Sequence, residues 1–124
     1  MPYEISKSFV FDAAHQLGAN VGPGHRYANL HGHSFSVELS LTGEPDPQTG
    51  WIRDFAELEV AAEGLRARLD HKYLNEIVGL ERPTLERIAA WIWERLKPDF
   101  PELNRVAVSR GSCREACVYT GPGS

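Results

Sequence analysis

Cysteine is scarce in this chain of 124 residues, which contains only Cys113 and Cys117. A pair with three residues between its members does not complete a structural zinc site, because such sites usually have four protein ligands. In a reducing compartment the two thiols are expected to stay free rather than to form a disulfide. The cysteines therefore give no indication of a disulfide-stapled domain, and they identify no site by themselves.

Long apolar runs and an excess of basic residues are missing as well. A transmembrane helix needs about 18 consecutive apolar residues, and no run approaches that length. Residues 1–4 show no basic start with an apolar signal core behind it. The formal net charge of −4 provides no broad basic surface for nucleic acid. These absences favour a cytoplasmic protein without a membrane or nucleic-acid partner, and the length favours a single domain over residues 1–124.

Two strands are predicted in the first part of the chain. Residues 3–13 combine aromatic and β-branched side chains with partial alternation of apolar and polar types. Residues 35–42 alternate strictly between apolar and polar, which is typical of a sheet with one buried face. Residues 18–30 are dense in Gly, Pro and Asn and are interpreted as a loop, and residues 43–50 as a turn-rich connection.

Two helices and two further strands are predicted in the remainder. Asp54 is a candidate N-cap for a helix over residues 55–70, where apolar residues recur at helical spacing. Pro83 and Thr84 open a second helix, which Pro98 ends. Short strands are then expected at about 104–112 and 116–120, joined by a turn around Arg114 and Glu115.

The resulting order, β-β-α-α-β-β, separates strands from helices and predicts the α+β class with a four-stranded antiparallel sheet. Two helices can cover only one face of such a sheet, so the other face and the free edges need another partner. We therefore expect a symmetric homo-oligomer whose sheets join across subunits.

Three of the five histidines lie where a hairpin would bring them together. His31 and His33 are two positions apart at the start of a strand, so both imidazoles point to the same face. If the strands on either side of the 18–30 loop pair, His15 falls beside them. Three imidazoles with an open fourth position are the ligand set of catalytic zinc, although nickel, copper or iron binds the same donors. The alternative is a group of surface or hydrogen-bonded histidines. His25 is interpreted as a loop residue rather than a fourth ligand.

Asp70 and His71 form a second candidate pair directly after the first predicted helix. A carboxylate that holds a histidine can fix its tautomer and raise its basicity, as a general acid–base device requires. Adjacent residues rarely hydrogen-bond to each other in this way, so the spacing alone leaves the geometry open. The alternative is a histidine that interacts with the dipole at the carboxyl end of the helix.

Six segments that together span nearly the whole chain match one known family in order and spacing. They include Phe-Asp-Ala-Ala-His at 11–15, the segment with His-Gly-His at 25–35, and Leu-Asp-His-Lys-Tyr-Leu-Asn at 69–75. The other three lie at 50–55, 79–84 and 91–98. On these segments the sequence resembles the 6-pyruvoyl-tetrahydropterin synthase / 6-carboxy-tetrahydropterin synthase family.

The resemblance implies the T-fold, an antiparallel sheet with two helices on one face, assembled into an oligomeric barrel. The implied assembly is a homohexamer, two trimers back to back, with active sites between subunits. The resemblance also implies Zn²⁺ bound by His15, His31 and His33, and a pterin substrate, 7,8-dihydroneopterin triphosphate. In the family an Asp/His pair, here Asp70 and His71, moves protons together with a cysteine thiolate.

Two positions depart from the family's pattern. Tyr27 stands where the family has its catalytic cysteine, and Gly111 stands where a glutamate anchors the pterin ring. A phenol is a weaker acid than a thiol and is a less accessible proton acceptor at neutral pH, although Tyr27 could act as a general acid. Gly111 has no side chain for charge-assisted hydrogen bonds. Neither Cys113 nor Glu115 is assumed to replace the missing groups.

The sequence therefore predicts a zinc-dependent lyase of this family that acts on a pterin-like or related hydroxylated substrate. Its catalytic residues are expected to be Asp70, His71 and Tyr27, and Thr84 and Gly111 are expected at the substrate site. Because of the two departures, an altered step such as C–C cleavage of a hydroxylated side chain is favoured over the standard synthase reaction. The alternative is a catalytically inactive zinc-binding T-fold oligomer with a ligand-binding or structural role.

Overall fold

The computed structural model describes residues 3–22 and 24–123, with the exception of the Tyr27 side chain. Two long strands are followed by two helices and two shorter strands, which confirms the predicted order. The bounds are β1 Tyr3–His15, β2 His31–Gly43, α1 Phe55–Leu69, α2 Leu85–Leu96, β3 Leu103–Arg110 and β4 Glu115–Tyr119. The four strands form one antiparallel sheet in the order β1-β2-β3-β4, as predicted for the α+β class.

β1 and β2 pair over 13 residues each without interruption, and the last pair is His15 opposite His31. The predicted strands at 3–13 and 35–42 were too short, because polar histidines interrupt the apolar alternation by which a strand is recognised. In the structure the alternation of burial continues to the strand end, where His15 is buried on the same face as Phe11. The candidate metal ligands therefore belong to regular strands, as the spacing of His31 and His33 predicts.

The helices cover one face of the sheet, as predicted. α1 packs on β1, and α2 packs on β3 and β4. The covered face of the sheet and the apolar sides of both helices form one core. Its fully buried members include Phe11, Phe35, Leu39, Leu41, Leu58, Leu69, Ile88 and Ile92. The opposite face carries small exposed residues such as Ser8 and Ser36. Within the described ranges, neither helix has the length and apolar character needed to cross a bilayer.

The connection between β3 and β4 differs from the prediction. β3 ends at Arg110, and Gly111–Cys113 form a single 3-10 turn, followed by Arg114 with φ of 54° in the left-handed region. Glu115 is therefore the first residue of β4 and pairs with Arg110, rather than being part of the turn. The predicted strand over 104–112 was too long, because periodicity alone does not distinguish a short polar turn from a strand end.

Both helices begin at the residues that the sequence indicates. The Asp54 carboxylate accepts a hydrogen bond from the backbone N–H two residues later at 2.9 Å, and Thr84 Oγ1 accepts one from the Arg87 N–H at 3.2 Å. Each bond satisfies a backbone donor that has no partner inside its own helix. At its other end α1 leads into Asp70 and then His71, whose φ of 58° also lies in the left-handed region.

Replacing Thr84 with Ala removes the cap of α2, and we expect this to lower the free energy of unfolding by about 1 kcal/mol. Thr84→Ser keeps a hydroxyl at the same position and is the matched control. Urea denaturation followed by circular dichroism compares both variants with the wild type. Equal midpoints for Thr84→Ala and the wild type would contradict the capping role.

Candidate active site

Three imidazoles converge at the end of the β1–β2 hairpin. The register places His15 opposite His31 and Ala13 opposite His33, so the three histidine side chains share one face of the sheet. The ring centroids are 4.6 Å apart for His15 and His31, 5.1 Å for His15 and His33, and 4.8 Å for His31 and His33. One ligand nitrogen from each ring lies within 4.8 Å of the other two, so the three side chains together can hold a metal ion.

Main-chain carbonyls set the orientation of two of the rings. His15 Nδ1 lies 2.9 Å from Pro83 O, and His31 Nδ1 lies 2.7 Å from Asn29 O. Because a carbonyl oxygen only accepts hydrogen bonds, Nδ1 of each ring carries the proton and donates it, which leaves the lone pair on Nε2. This is the arrangement in which a neighbouring group orients a histidine towards a metal.

The nitrogens that face one another are buried and uncharged. Nε2 of His15 and Nε2 of His33 have no hydrogen-bond partner within the described part of the chain. Buried polar atoms are nearly always satisfied, so these two nitrogens indicate a ligand between the rings. Burial, opposed in part by the hydrogen bond to Pro83, lowers the pKa of His15 to about 4. Burial also lowers the pKa of His33. Both rings are therefore neutral at pH 7, the form that binds a metal.

An ion pair between a buried arginine and a partly exposed glutamate borders the three histidines. Arg110 lies opposite Glu115 in the β3–β4 ladder, and its guanidinium contacts Glu115 Oε1 at 2.7 Å. Burial is the largest cause of the lowered pKa of His33, and the positive charge of Arg110 is the second. The negative charge of Glu115 acts in the opposite direction and raises this pKa. Sequence reasoning missed this pair. Its signal is that Arg110 continues the inward-facing series of Val106 and Val108, where a charged residue is exceptional.

Asp70 and His71 are in direct contact, although they are adjacent in sequence. His71 Nδ1 donates to Asp70 Oδ2 at 2.9 Å, because the left-handed backbone of His71 turns its ring back towards the preceding side chain. The same oxygen lies 3.2 Å from an Arg66 nitrogen, and Asp70 Oδ1 accepts from the Asp12 N–H at 2.9 Å. The hydrogen bonds from Asp12 and His71 lower the pKa of Asp70, which is therefore a carboxylate at neutral pH. The His71 side chain is 80% exposed, so Nε2 is the nitrogen available to a ligand.

One open cleft of about 680 Å³ adjoins both groups. Its walls come from the end of β1, the start of β2, the segment after α1 and the β3–β4 turn. The lining residues are Asp12, Ala13, Ala14, Gly32, His33, Ser34, His71, Lys72, Tyr73 and Ser112. His33 and His71 thus face the same cleft within a single chain. A ligand in the cleft can contact one of the clustered histidines and the Asp70–His71 pair together.

The remaining predicted site residues have separate surroundings. Thr84 uses its hydroxyl to cap α2, and an added Cβ at Gly111 would meet no atom within 4 Å. Tyr27 belongs to a short 3-10 turn, and its side chain lies outside the described residues. Cys113 Sγ contacts His33 Nδ1 at 3.9 Å, so the turn after β3 reaches the histidine cluster. The roles expected for Tyr27, Thr84 and Gly111 stay predictions.

The buried neutral His15 makes the metal-free protein sensitive to acid. In the unfolded chain His15 binds a proton at about pH 6.5, whereas in the folded chain it does so only at about pH 4. Between these values the unfolded state carries more protons, so the stability of the fold decreases as the pH falls from 6.5 towards 4. The lowered pKa of His33 acts in the same direction. We expect the melting temperature of the metal-free protein to fall over this range.

Differential scanning fluorimetry of His15→Gln against the wild type measures this contribution, and the variant is expected to show a smaller fall. His25→Gln changes an exposed histidine and is the control. A melting temperature that stays constant between pH 6.5 and 4 would contradict the buried neutral state of His15.

Relatives of this chain are found by comparison of both sequence and structure. Residues 4–122 match the family model described as 6-pyruvoyl tetrahydropterin synthase. The chain is 42% identical over 127 residues to a 6-carboxy-5,6,7,8-tetrahydropterin synthase of Synechocystis sp., with 95% of this chain and 93% of the relative covered. It is 36% identical over 105 residues to a dihydroneopterin monophosphate aldolase of Pyrococcus furiosus, with 82% and 84% covered.

The structure of Caenorhabditis elegans 6-pyruvoyl tetrahydropterin synthase has the same fold. It superposes with a TM-score of 0.87 at 24% sequence identity, and the match covers 97% of this chain and 96% of that chain. The superposition confirms the predicted T-fold.

Proposed function

Because the chain belongs to the 6-pyruvoyl tetrahydropterin synthase family, we propose that it is a zinc-dependent lyase that acts on the hydroxylated side chain of a pterin-like substrate. The observation that carries the proposal is the cleft lined by both His33 and His71, since it joins the three-histidine cluster to the Asp70–His71 pair. One relative is named a synthase and another an aldolase, and both names support lyase chemistry on a pterin.

The residues present fit a zinc ion. His15, His31 and His33 offer three imidazole nitrogens, and those of His15 and His33 lack another partner among the residues that the structure describes. Three imidazoles with an open fourth position form a ligand set of catalytic zinc. When bound, zinc supplies Lewis-acid polarisation of a substrate oxygen, which acidifies the adjacent O–H and C–H groups.

His71 is the proposed proton carrier. Asp70 holds the Nδ1–H of the ring, which leaves the Nε2 lone pair to take a proton from a substrate hydroxyl in the cleft. In a retro-aldol cleavage this hydroxyl proton is removed as the C–C bond breaks, and the carbon that keeps the electron pair must be protonated. His71 can return the same proton, so one side chain completes the proton balance.

The residues that replace the family's catalytic groups favour an altered reaction. Tyr27 is proposed as a general acid whose O–H donates a hydrogen bond to a substrate oxygen without net proton transfer, because a phenol is a weak acceptor at neutral pH. Gly111 provides no carboxylate for the N–H groups of a pterin ring, and the space around its Cβ position is open. Thr84 is proposed to border the substrate through atoms other than its hydroxyl, which caps α2.

The missing side chain at Gly111 also favours the second candidate, an inactive zinc-binding oligomer with a ligand-binding or structural role.

The reaction is tested by incubating the zinc-loaded chain with 7,8-dihydroneopterin, its monophosphate and its triphosphate, and by separating the products chromatographically. A 6-hydroxymethyl product is expected, since it results from C–C cleavage of the side chain. A 6-carboxy or 6-pyruvoyl product would instead assign the synthase reaction. No product, together with stoichiometric zinc, would favour the inactive alternative.

Variants in the same assay assign the proton transfers. His71→Asn removes the Nε2 acceptor while tolerating the left-handed backbone, and we expect it to lower kcat by about 100-fold or more with zinc content unchanged. A His71→Asn variant with the kcat of the wild type would exclude His71 as the proton carrier.

Tyr27→Phe is expected to lower kcat, and an unchanged rate would remove Tyr27 as a donor. Tyr3→Phe, at an exposed position, is its matched control.

We also propose that each chain is one domain over residues 1–124 and that the protein is a cytoplasmic homohexamer of two trimers. β1 and β4 are the edge strands of the sheet, with Val10 and Val118 exposed on them. Unpaired main-chain groups along such edges are satisfied when the sheets of neighbouring subunits pair. Native mass spectrometry is expected to show a hexamer, and a monomer at micromolar concentration would contradict this assembly.

A further inference from the structure

The segment that follows α1 lies along the outer edge of β1. The His71 N–H donates to Asp12 O at 2.6 Å, and the Ala14 N–H donates to Lys72 O at 3.0 Å. Ala14 and Tyr73 form a parallel bridge. The segment therefore acts as a short additional strand that covers the edge of β1 close to its carboxyl end.

The Asn75 side chain continues this pairing beyond the end of β1. Its Oδ1 accepts from the Gln16 N–H at 3.0 Å, and its Nδ2 donates to Gln16 O at 3.0 Å. One amide thus binds both main-chain groups of the residue directly after His15, as a neighbouring strand would bind them. Gln16 lies outside the β1–β2 ladder, so Asn75 replaces a strand partner at this position.

The same amide reaches the segment that orients the His15 ring. Asn75 Nδ2 lies 3.3 Å from Glu81 O, and Glu81 is two residues before Pro83, whose carbonyl accepts from His15 Nδ1 at 2.9 Å. An amide has the two donors and the acceptor that these contacts need. One side chain therefore joins the main chain that carries His15 to the main chain that fixes its ring.

We infer that Asn75 is a positioning residue for the metal centre, which holds the His15 ring with Nε2 directed towards His31 and His33 before any metal binds. The inference rests on the proposed function in that it assigns His15 to a metal. The orientation of the ring in the metal-free protein does not depend on that assignment, because His15 is fully buried and its Nδ1 donates to Pro83 O of the same chain.

Two variants separate the contacts of Asn75. Asn75→Ala removes all of its hydrogen bonds, whereas Asn75→Asp keeps the acceptor for the Gln16 N–H and places a carboxylate oxygen against Gln16 O and Glu81 O. Asn104→Ala is the matched control, because Asn104 Nδ2 donates to Glu4 Oε2 at 3.3 Å at the opposite end of the sheet. The readouts are the ¹⁵N shifts of the His15 ring in the metal-free protein and the zinc Kd measured by competition with a chelator.

We expect both Asn75 variants to lose the fixed Nδ1–H tautomer of His15 and to bind zinc about 10- to 100-fold more weakly, as for other groups that orient metal ligands. Asn104→Ala is expected to match the wild type in both readouts. A purely structural role would lower the melting temperature without changing the ring signals of the folded variant. Ring shifts and zinc affinity equal to those of the wild type in a folded Asn75 variant would overturn the inference.

Failure of the inference is distinguishable from failure of the proposed function. A wild-type chain that binds no zinc contradicts the proposed function, while the His15 ring signals of the metal-free variants still decide the role of Asn75. If neither variant folds, amide hydrogen exchange of Gln16 in the wild-type chain is the deciding measurement. Protection of that amide supports the contact with Asn75, and exchange as fast as in an unstructured peptide overturns it.

Discussion

The register between β1 and β2 is the constraint on which the rest of the structure depends. Successive side chains of a strand alternate between faces, so a slip of one residue would place His31 and His33 on the opposite face from His15. The same slip would remove Phe11 or Phe35 from the core, where the two rings stack with centroids 4.9 Å apart. Burial of these apolar side chains therefore specifies the pairing, and the pairing brings the histidines together.

Three imidazoles beside a buried guanidinium form a demanding arrangement, because a polar group loses hydration when it is buried. Pro83 O offsets part of this loss at His15, since it accepts the Nδ1 proton and leaves Nε2 as a lone pair. A lone Arg110 would also repel a divalent cation, but Glu115 at 2.7 Å offsets its charge. The ion pair thus makes a charged residue in the core compatible with cation binding a short distance away.

Features that depend on local spacing were predictable from the sequence. Apolar periodicity and the caps at Asp54 and Thr84 indicate the helices, and the closeness of the three histidines follows once the 18–30 loop is recognised as a hairpin connection. The contact between Asp70 and His71 was not predictable, because it depends on a left-handed backbone at a residue other than glycine. The Arg110–Glu115 pair was missed for another reason. It requires the register of β3 and β4, which the turn between them conceals.

The three-histidine cluster and Gly111 belong to different parts of the fold. The histidine cluster is built by the β1–β2 hairpin and its main-chain contacts, whereas Gly111 belongs to the turn after β3. An added side chain at Gly111 would enter open space rather than displace the core. A carboxylate at this position can therefore be gained or lost without disturbing the three-histidine cluster. The turn after β3 can therefore change in sequence while the β1–β2 hairpin that carries the histidines stays the same.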